Sequence, residues 1–226
     1  MRSSFFPDST KDDELEPRNA VFWGALVDRI RSDGFNRAPR RVLDIGSHRG
    51  GLLARIAEHW KPDELIGIEP MESARTRARL RLQTAAPSVV MLEPTEWHRV
   101  ETGSVDLAVC HEVLFLVRDL DGLIADVARV LAPQAGAYIA AGCHSENPVW
   151  PAWRARLEAA GHATFEHRPM EVMAAAGRHG LIPSVRPLRD AGWATHDPVG
   201  DFQFPTVEAL LDHQFRHKLL FRLVRR

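Results

Sequence analysis

From Arg41 onward two kinds of segment alternate along the chain. Short runs are apolar almost throughout and rich in Val and Ile: RVLDI (41–45), ELIGIE (64–69), SVVML (88–92), VDLAVC (105–110) and AYIAA (137–141). Between them lie longer stretches with an apolar residue every three or four positions. GGLLARIAEHW stripes Leu52, Leu53, Ile56 and Trp60, and DLDGLIADVARVLA stripes Leu120, Leu123, Ile124, Val127 and Leu131. The first kind predicts strands covered on both faces and the second predicts sheet-covering helices. Their alternation predicts βαβ units and an α/β fold around a mostly parallel sheet. MESARTRARLRLQTAA is a weaker helix; its arginines at 75, 77, 79 and 81 point to different sides and are read as solvating an exposed surface rather than gripping phosphates.

Residues 1–17 are polar and punctuated by proline, which predicts a mobile N-terminal segment. NAVFWGALVDRI then spaces Val21, Phe22, Leu26, Val27 and Ile30 for a helix from about 18 to 32. After the fifth strand the rhythm changes: a polar turn CHSENP and a Trp-bearing helix VWPAWRARLEAAG form a substrate-side insertion at about 143–168. It falls at the C-terminal edge of the sheet, where open α/β proteins bind ligands. A helix PMEVMAAAGRHG, a strand SVRPLR, a Gly/Asp/Pro-rich loop from 190 to 205, a helix TVEALLDHQFRHK and a final apolar run LLFRLV follow. The length, 226 residues, suits one domain over 18–226, and there is no internal repeat.

The first strand runs into a glycine-rich turn, RVLDIGSHRGG. In a dinucleotide loop, GxGxxG would fall on Gly46, His48 and Gly51. The middle glycine of that pattern lets backbone approach a pyrophosphate, and an imidazole impedes the approach. NAD and FAD are therefore disfavoured. A compact ligand without phosphate meets no such obstacle, and S-adenosylmethionine is one. Glu69, ending the next strand in LIGIEP, is positioned to accept hydrogen bonds from both ribose hydroxyls.

VLDIGSHRG, GIEP and GSVDLAVCHEVLFLVRDLDGLIADVARVLAPQAGAYIA together resemble the class I S-adenosylmethionine-dependent methyltransferases of the small-molecule type, over about residues 40–142. The resemblance implies a Rossmann-like fold: a seven-stranded, mostly parallel sheet with helices on both faces and a last antiparallel strand, here near LLFRLV. It implies S-adenosyl-L-methionine as cofactor, with Asp44, Gly46, Ser47 and Gly50 around its methionine end. Glu69, followed by Pro70, would hold the ribose, and Cys110 and His111 would line the pocket where the fourth strand ends. Two positions depart from the family pattern. His48 replaces the middle glycine, and Pro94 stands where members often carry an acid for the adenine amino group. Its neighbours Glu93, Thr95, Glu96 and Trp97 are left to contact the base, by a carboxylate hydrogen bond or by packing. The usual proline-glycine-glycine turn is stretched to Pro133, Gln134, Ala135, Gly136.

Methyl transfer from a sulfonium is an in-line displacement, so holding the nucleophile in line supplies most of the acceleration, and a base helps only where the nucleophile arrives protonated. Candidate bases are His111, with Glu112 beside it after the fourth strand, and His144 after the fifth. The alternatives are that His111 lines the cofactor pocket and that His144 caps a turn. Trp150 and Trp153 in the insertion are candidates for an aromatic wall against the acceptor, or for core packing. His213 and His217 share a helix face at metal-pair spacing, but with no third ligand they are read as surface or packing residues, and no metal is assigned.

Net charge is −1, from 29 basic and 30 acidic residues, so no overall field recruits nucleic acid or an anionic membrane. The two cysteines form no CxxC pair, no apolar stretch reaches the roughly 18 residues of a membrane span, and the N-terminus lacks a signal-peptide core. A cytoplasmic enzyme that methylates a small molecule is the expectation. A non-catalytic cofactor-binding or scaffold protein is the alternative from another class, and an RNA or protein methyltransferase is disfavoured by the lack of a basic, aromatic-interleaved patch.

Overall fold

The computed structural model describes residues 5, 9–34, 38–196 and 202–226. The apolar runs become β1 (Arg41–Ile45), β2 (Glu64–Ile68), β3 (Ser88–Leu92), β4 (Val105–His111) and β5 (Leu131–Ala141), all parallel. With β6 (Leu181–Pro187) and β7 (Leu219–Arg225) they form a seven-stranded sheet in the order β3-β2-β1-β4-β5-β7-β6. β7 runs antiparallel to both of its neighbours. The order reverses at β1 and β4, and this switch point opens a crevice at the C-terminal ends of the strands.

Helices α1 (Ser9–Ser32), α2 (Gly51–Trp60), α3 (Glu72–Leu82), α4 (Leu120–Val130), α5 (Trp150–Ala159), α6 (Pro169–Arg178) and α7 (Val207–Asp212) cover the sheet and its edge. Two-residue alternation sorts the strands between two cores. Leu43, Ala108 and Ile139 face one core with Ile124 and Val127 of α4 and Val172 of α6. Val42, Leu107 and Tyr138 face the other with Leu26 and Ile30 of α1 and Leu53 and Ile56 of α2. A smaller cluster of Phe115, Val149, Trp150, Trp153 and Leu157 anchors α5 beyond the end of β5.

Three elements differ from the sequence expectation. The helix expected from about 18 starts at Ser9 and contains Pro17. Around the proline, Asp13 meets Arg49 and Arg77, and Glu16 meets Arg81 at 2.9 Å, linking α1 to the loop after β1 and to α3. Residues 1–4 and 6–8 of the expected mobile segment, and 197–201 of the expected loop, lie outside the described residues. β5 begins at Leu131 rather than at Ala137, with Gln134 at φ 66° in the stretched turn. The last helix ends at Asp212 and is followed by a wide π turn over His213–His217, a form that recurs at functional sites.

Candidate active site

A cavity of about 1210 Å³ lies over the C-terminal ends of the strands. Crossing from Glu69 after β2 to Lys218 before β7 takes four strand spacings, roughly 19 Å at about 4.8 Å each, so the cavity has two ends with different walls.

At the β2 end the loop after β1 is shaped by glycine and by Glu69. Gly46 has φ +74°, and a Cβ there would sit 2.2 Å from Val113 Cγ2, so no other residue fits. His48 also lies in the left-handed region, at φ 46°, a conformation that costs a side-chain-bearing residue about 1–2 kcal/mol. Its backbone N–H offsets that cost by donating to Glu69 Oε2 at 3.0 Å, while its ring lies 3.7 Å from Asp12 Oδ2 on α1. The imidazole thus leans toward α1, and burial lowers its pKa. Met71 N–H donates to the other Glu69 oxygen at 2.9 Å. Arg75, read from sequence as a surface residue, is instead buried: Nη1 donates to the carbonyls of Glu69 and Pro70 at 2.7 and 2.9 Å, and Nη2 pairs with Glu72 and Glu93. A guanidinium has enough fixed donors to brace the turn that carries Glu69.

Asp44 lines the same end, is 2% exposed and accepts no hydrogen bond among the described residues. Burial, reinforced by the Glu69 charge, pushes its pKa well up, and burial pushes Glu69 up as well. Ser47 and Pro70 also line the cavity; Gly50, where a Cβ would meet Leu82 and Ala78, and Cys110, fully buried in the core, do not. Of the candidates for the adenine base, Trp97 reaches the cavity, as does Pro94 in the place of the usual acid. Glu96 does not: its carboxylate caps the Pro94–Arg99 turn, accepting from Glu93 N–H at 2.9 Å, and pairs with Arg99. Glu93 is held by Arg75.

The other end is a network assembled from four segments. Glu112, at φ 55°, accepts from Gly142 N–H and from Lys218 Nζ, both at 2.7 Å. Lys218 Nζ also sits 3.9 Å from the Phe22 ring centroid. Burial works against the Glu112 charge, but Lys218 and neighbouring histidines hold its pKa down at about 2. His111 lines the cavity with Nε2 enclosed and unpartnered, and burial together with Lys218 lowers its pKa to about 3. His213 shares this wall, at about 3 for the same two causes, and Cys143 beside it is pushed well up by burial.

His144 is not part of the wall. Its Nε2 meets the His217 carbonyl oxygen at 2.7 Å, in the turn-capping role that was the alternative reading. The two tryptophans also part company. Trp153 lines the cavity with Nε1 donating to the Gln203 carbonyl at 3.2 Å, whereas Trp150 is 1% exposed in the α5 cluster, 5.5 Å from Phe115. Lys218, Asn147 and the cavity position of His213 were missed from sequence; a lysine directly before the apolar run LLFRLV was the available signal.

A family model described as a methyltransferase domain matches residues 17–175, and the chain belongs to that family. No curated protein matches it. Among solved structures, a chain of the complex between the Haloferax volcanii Trm112 methyltransferase activator and a methyltransferase is 18% identical, with a TM-score of 0.75, covering 100% of this chain and 98% of that one. A Streptomyces coelicolor geranyl diphosphate C-methyltransferase, in complex with Mg2+, geranyl diphosphate and S-adenosyl-L-homocysteine, is 16% identical at TM-score 0.67, covering 89% and 76%. A Thermotoga maritima S-adenosylmethionine-dependent methyltransferase is 15% identical at 0.63, covering 95% and 96%. At these identities the likeness is one of fold: the Rossmann-like methyltransferase sheet.

Proposed function

We propose that this methyltransferase, whose cofactor is S-adenosylmethionine, methylates an oxygen or nitrogen of a small, largely apolar molecule. The observation that carries this is the cavity itself: about 1210 Å³ exceeds the roughly 300–1000 Å³ of a usual single-ligand pocket, and its two ends differ in chemistry. The Asp44 and Glu69 end fits the cofactor. Asp44 is a buried carboxyl in want of a donor or cation, and Glu69 keeps lone pairs for a diol after accepting two backbone N–H groups. Trp97 offers a face for the base. When bound, the cofactor supplies an electrophilic methyl group on a sulfonium.

The chain's own residues hold and exclude. Trp153, Phe202 and Phe204 wall off water around the acceptor, and Glu112 and Lys218 neutralise each other. With His111 and Glu112 held at about 3 and about 2, neither is a strong proton acceptor near neutrality. His111 is accordingly assigned to lining and orienting, and the acceptor is one whose nucleophilic atom needs little help losing a proton. The segment 143–168 serves as the acceptor-side insertion of one domain over 18–226. A cytoplasmic setting is part of this reading: no helix among the described residues is long and apolar enough to cross a membrane, and Cys110 and Cys143 are free thiols.

Calorimetric titration with S-adenosylmethionine and, separately, NAD tests it. Binding of the first alone at micromolar strength is expected; a folded, ligand-free protein that binds neither would defeat the proposal.

A further inference from the structure

Asn147 is 1% exposed and its side-chain orientation is fixed by its neighbours. Nδ2 donates to the Gly142 carbonyl at 2.6 Å, and Oδ1 accepts from Val149 N–H at 3.3 Å. The remaining Nδ2 hydrogen therefore meets His213 Nδ1, 2.9 Å away. A nitrogen that accepts cannot carry the proton, so the neutral ring holds it on Nε2. That Nε2–H has no partner among the described residues, and the His213 ring lines the cavity.

The ring is wedged among aromatics. Its centroid lies 4.7 Å from Trp153 and 5.3 Å from Phe204, and Trp153 lies 5.3 Å from Phe202 in an edge-on arrangement. A directed donor set among aromatics is a usual composition of a site that orients a flat apolar ligand by a polar atom. Lys218 nearby is bound to Glu112 and faces the Phe22 ring.

We infer that His213 is a positioning residue for the acceptor: its Nε2–H hydrogen-bonds an oxygen on a flat, largely apolar molecule packed against Trp153, Phe202 and Phe204. This rests on reading the cavity as a joint cofactor and acceptor site. Asn147 sets the tautomer from behind, and the oxygen so held fixes which edge of the acceptor faces the cofactor end.

The test uses protein saturated with S-adenosylhomocysteine and two probes of similar shape, 2-acetylnaphthalene and 2-isopropylnaphthalene. The ketone is expected to bind on the order of tenfold more tightly, the worth of one buried hydrogen bond. His213→Gln, which keeps a donor, preserves the preference, while His213→Phe removes it without changing S-adenosylhomocysteine affinity. Spectra of protein with ¹⁵N-labelled histidine are expected to show the proton of His213 on Nε2, moving to Nδ1 in Asn147→Asp. Equal affinity for the two probes, a preference that survives in His213→Phe, a proton on Nδ1 in the unaltered protein, or binding of neither probe overturns the inference. Failure to bind S-adenosylhomocysteine overturns the underlying cofactor reading instead, and the histidine spectra, which need no ligand, still test the tautomer.

Discussion

At one end of the cavity Glu69 is held by the backbone N–H groups of His48 and Met71, one from the adjacent loop and one two residues along its own chain. At the other end Glu112 accepts from Gly142 N–H and is paired with Lys218, which arrives from far along the sequence and lies beside it because β7 is inserted next to β5. The first end is built from main chain in a short stretch of sequence, the second from side chains of distant segments. A backbone-built end tolerates changes of side chain at most positions but none of conformation. A side-chain-built end has the opposite sensitivity, because each buried group relies on a particular partner.

Substitutions can break that contrast at either end. Glu112→Gln strands the buried Lys218 ammonium and should destabilise the fold by about 3–5 kcal/mol in denaturant titrations; replacing both residues with apolar ones of similar size should recover much of the loss. Gly46→Ala forces a Cβ into Val113 in the left-handed region and is expected to cost about 2–4 kcal/mol, with cofactor affinity falling in parallel. Glu69→Ala should leave the melting temperature within a few degrees and weaken S-adenosylmethionine binding by about 1–3 kcal/mol by calorimetry; unchanged affinity would place the cofactor elsewhere.

The remaining prediction concerns pH, and its sign follows from the direction of the shifts. His111 and His213 are lowered from 6.5 to about 3 in the folded protein, so the unfolded chain binds more protons between those values. Stability from these two groups is full above about pH 6.5 and is lost as pH falls toward 3, with Glu112 adding a further loss below 4.5 as it approaches about 2. Across pH 7 to 9 neither histidine titrates, so the methyl-transfer rate should carry no ionisation from them there; an inflection that disappears in His111→Gln would restore that residue as a base.

The same contrast explains how much could be read beforehand. The sheet was legible because strands buried on both faces leave unbroken apolar runs, and the β2 end was legible because Asp44, Gly46 and Glu69 lie in two short motifs. Arg75 was hidden in a helix whose arginines alternate around the axis; only the placement of the Glu69–Pro70 carbonyls distinguishes it from Arg77. Pro17 looked like a stop because local propensity disfavours it inside a helix, yet α1 runs through it, in contact with α2 and linked by ion pairs to α3 and Arg49. The β7 end of the cavity was unreadable for a simple reason: Asn147, His213 and Lys218 have no common motif and meet only through the closure of β7 on β5.

That closure also bears on how the molecule is assembled during synthesis. β6 pairs only with β7, and β7 pairs with β5, so β6 leaves the ribosome before the strand that will join it to the sheet exists. The strands carrying the Asp44 and Glu69 motifs can pair early, whereas the wall bearing His213 and Lys218 must wait for the last strand to wedge between two waiting ones. Nascent chains halted before Leu219 should therefore leave β6 unpaired and that wall unbuilt, making strand insertion the slow, long-range step of folding.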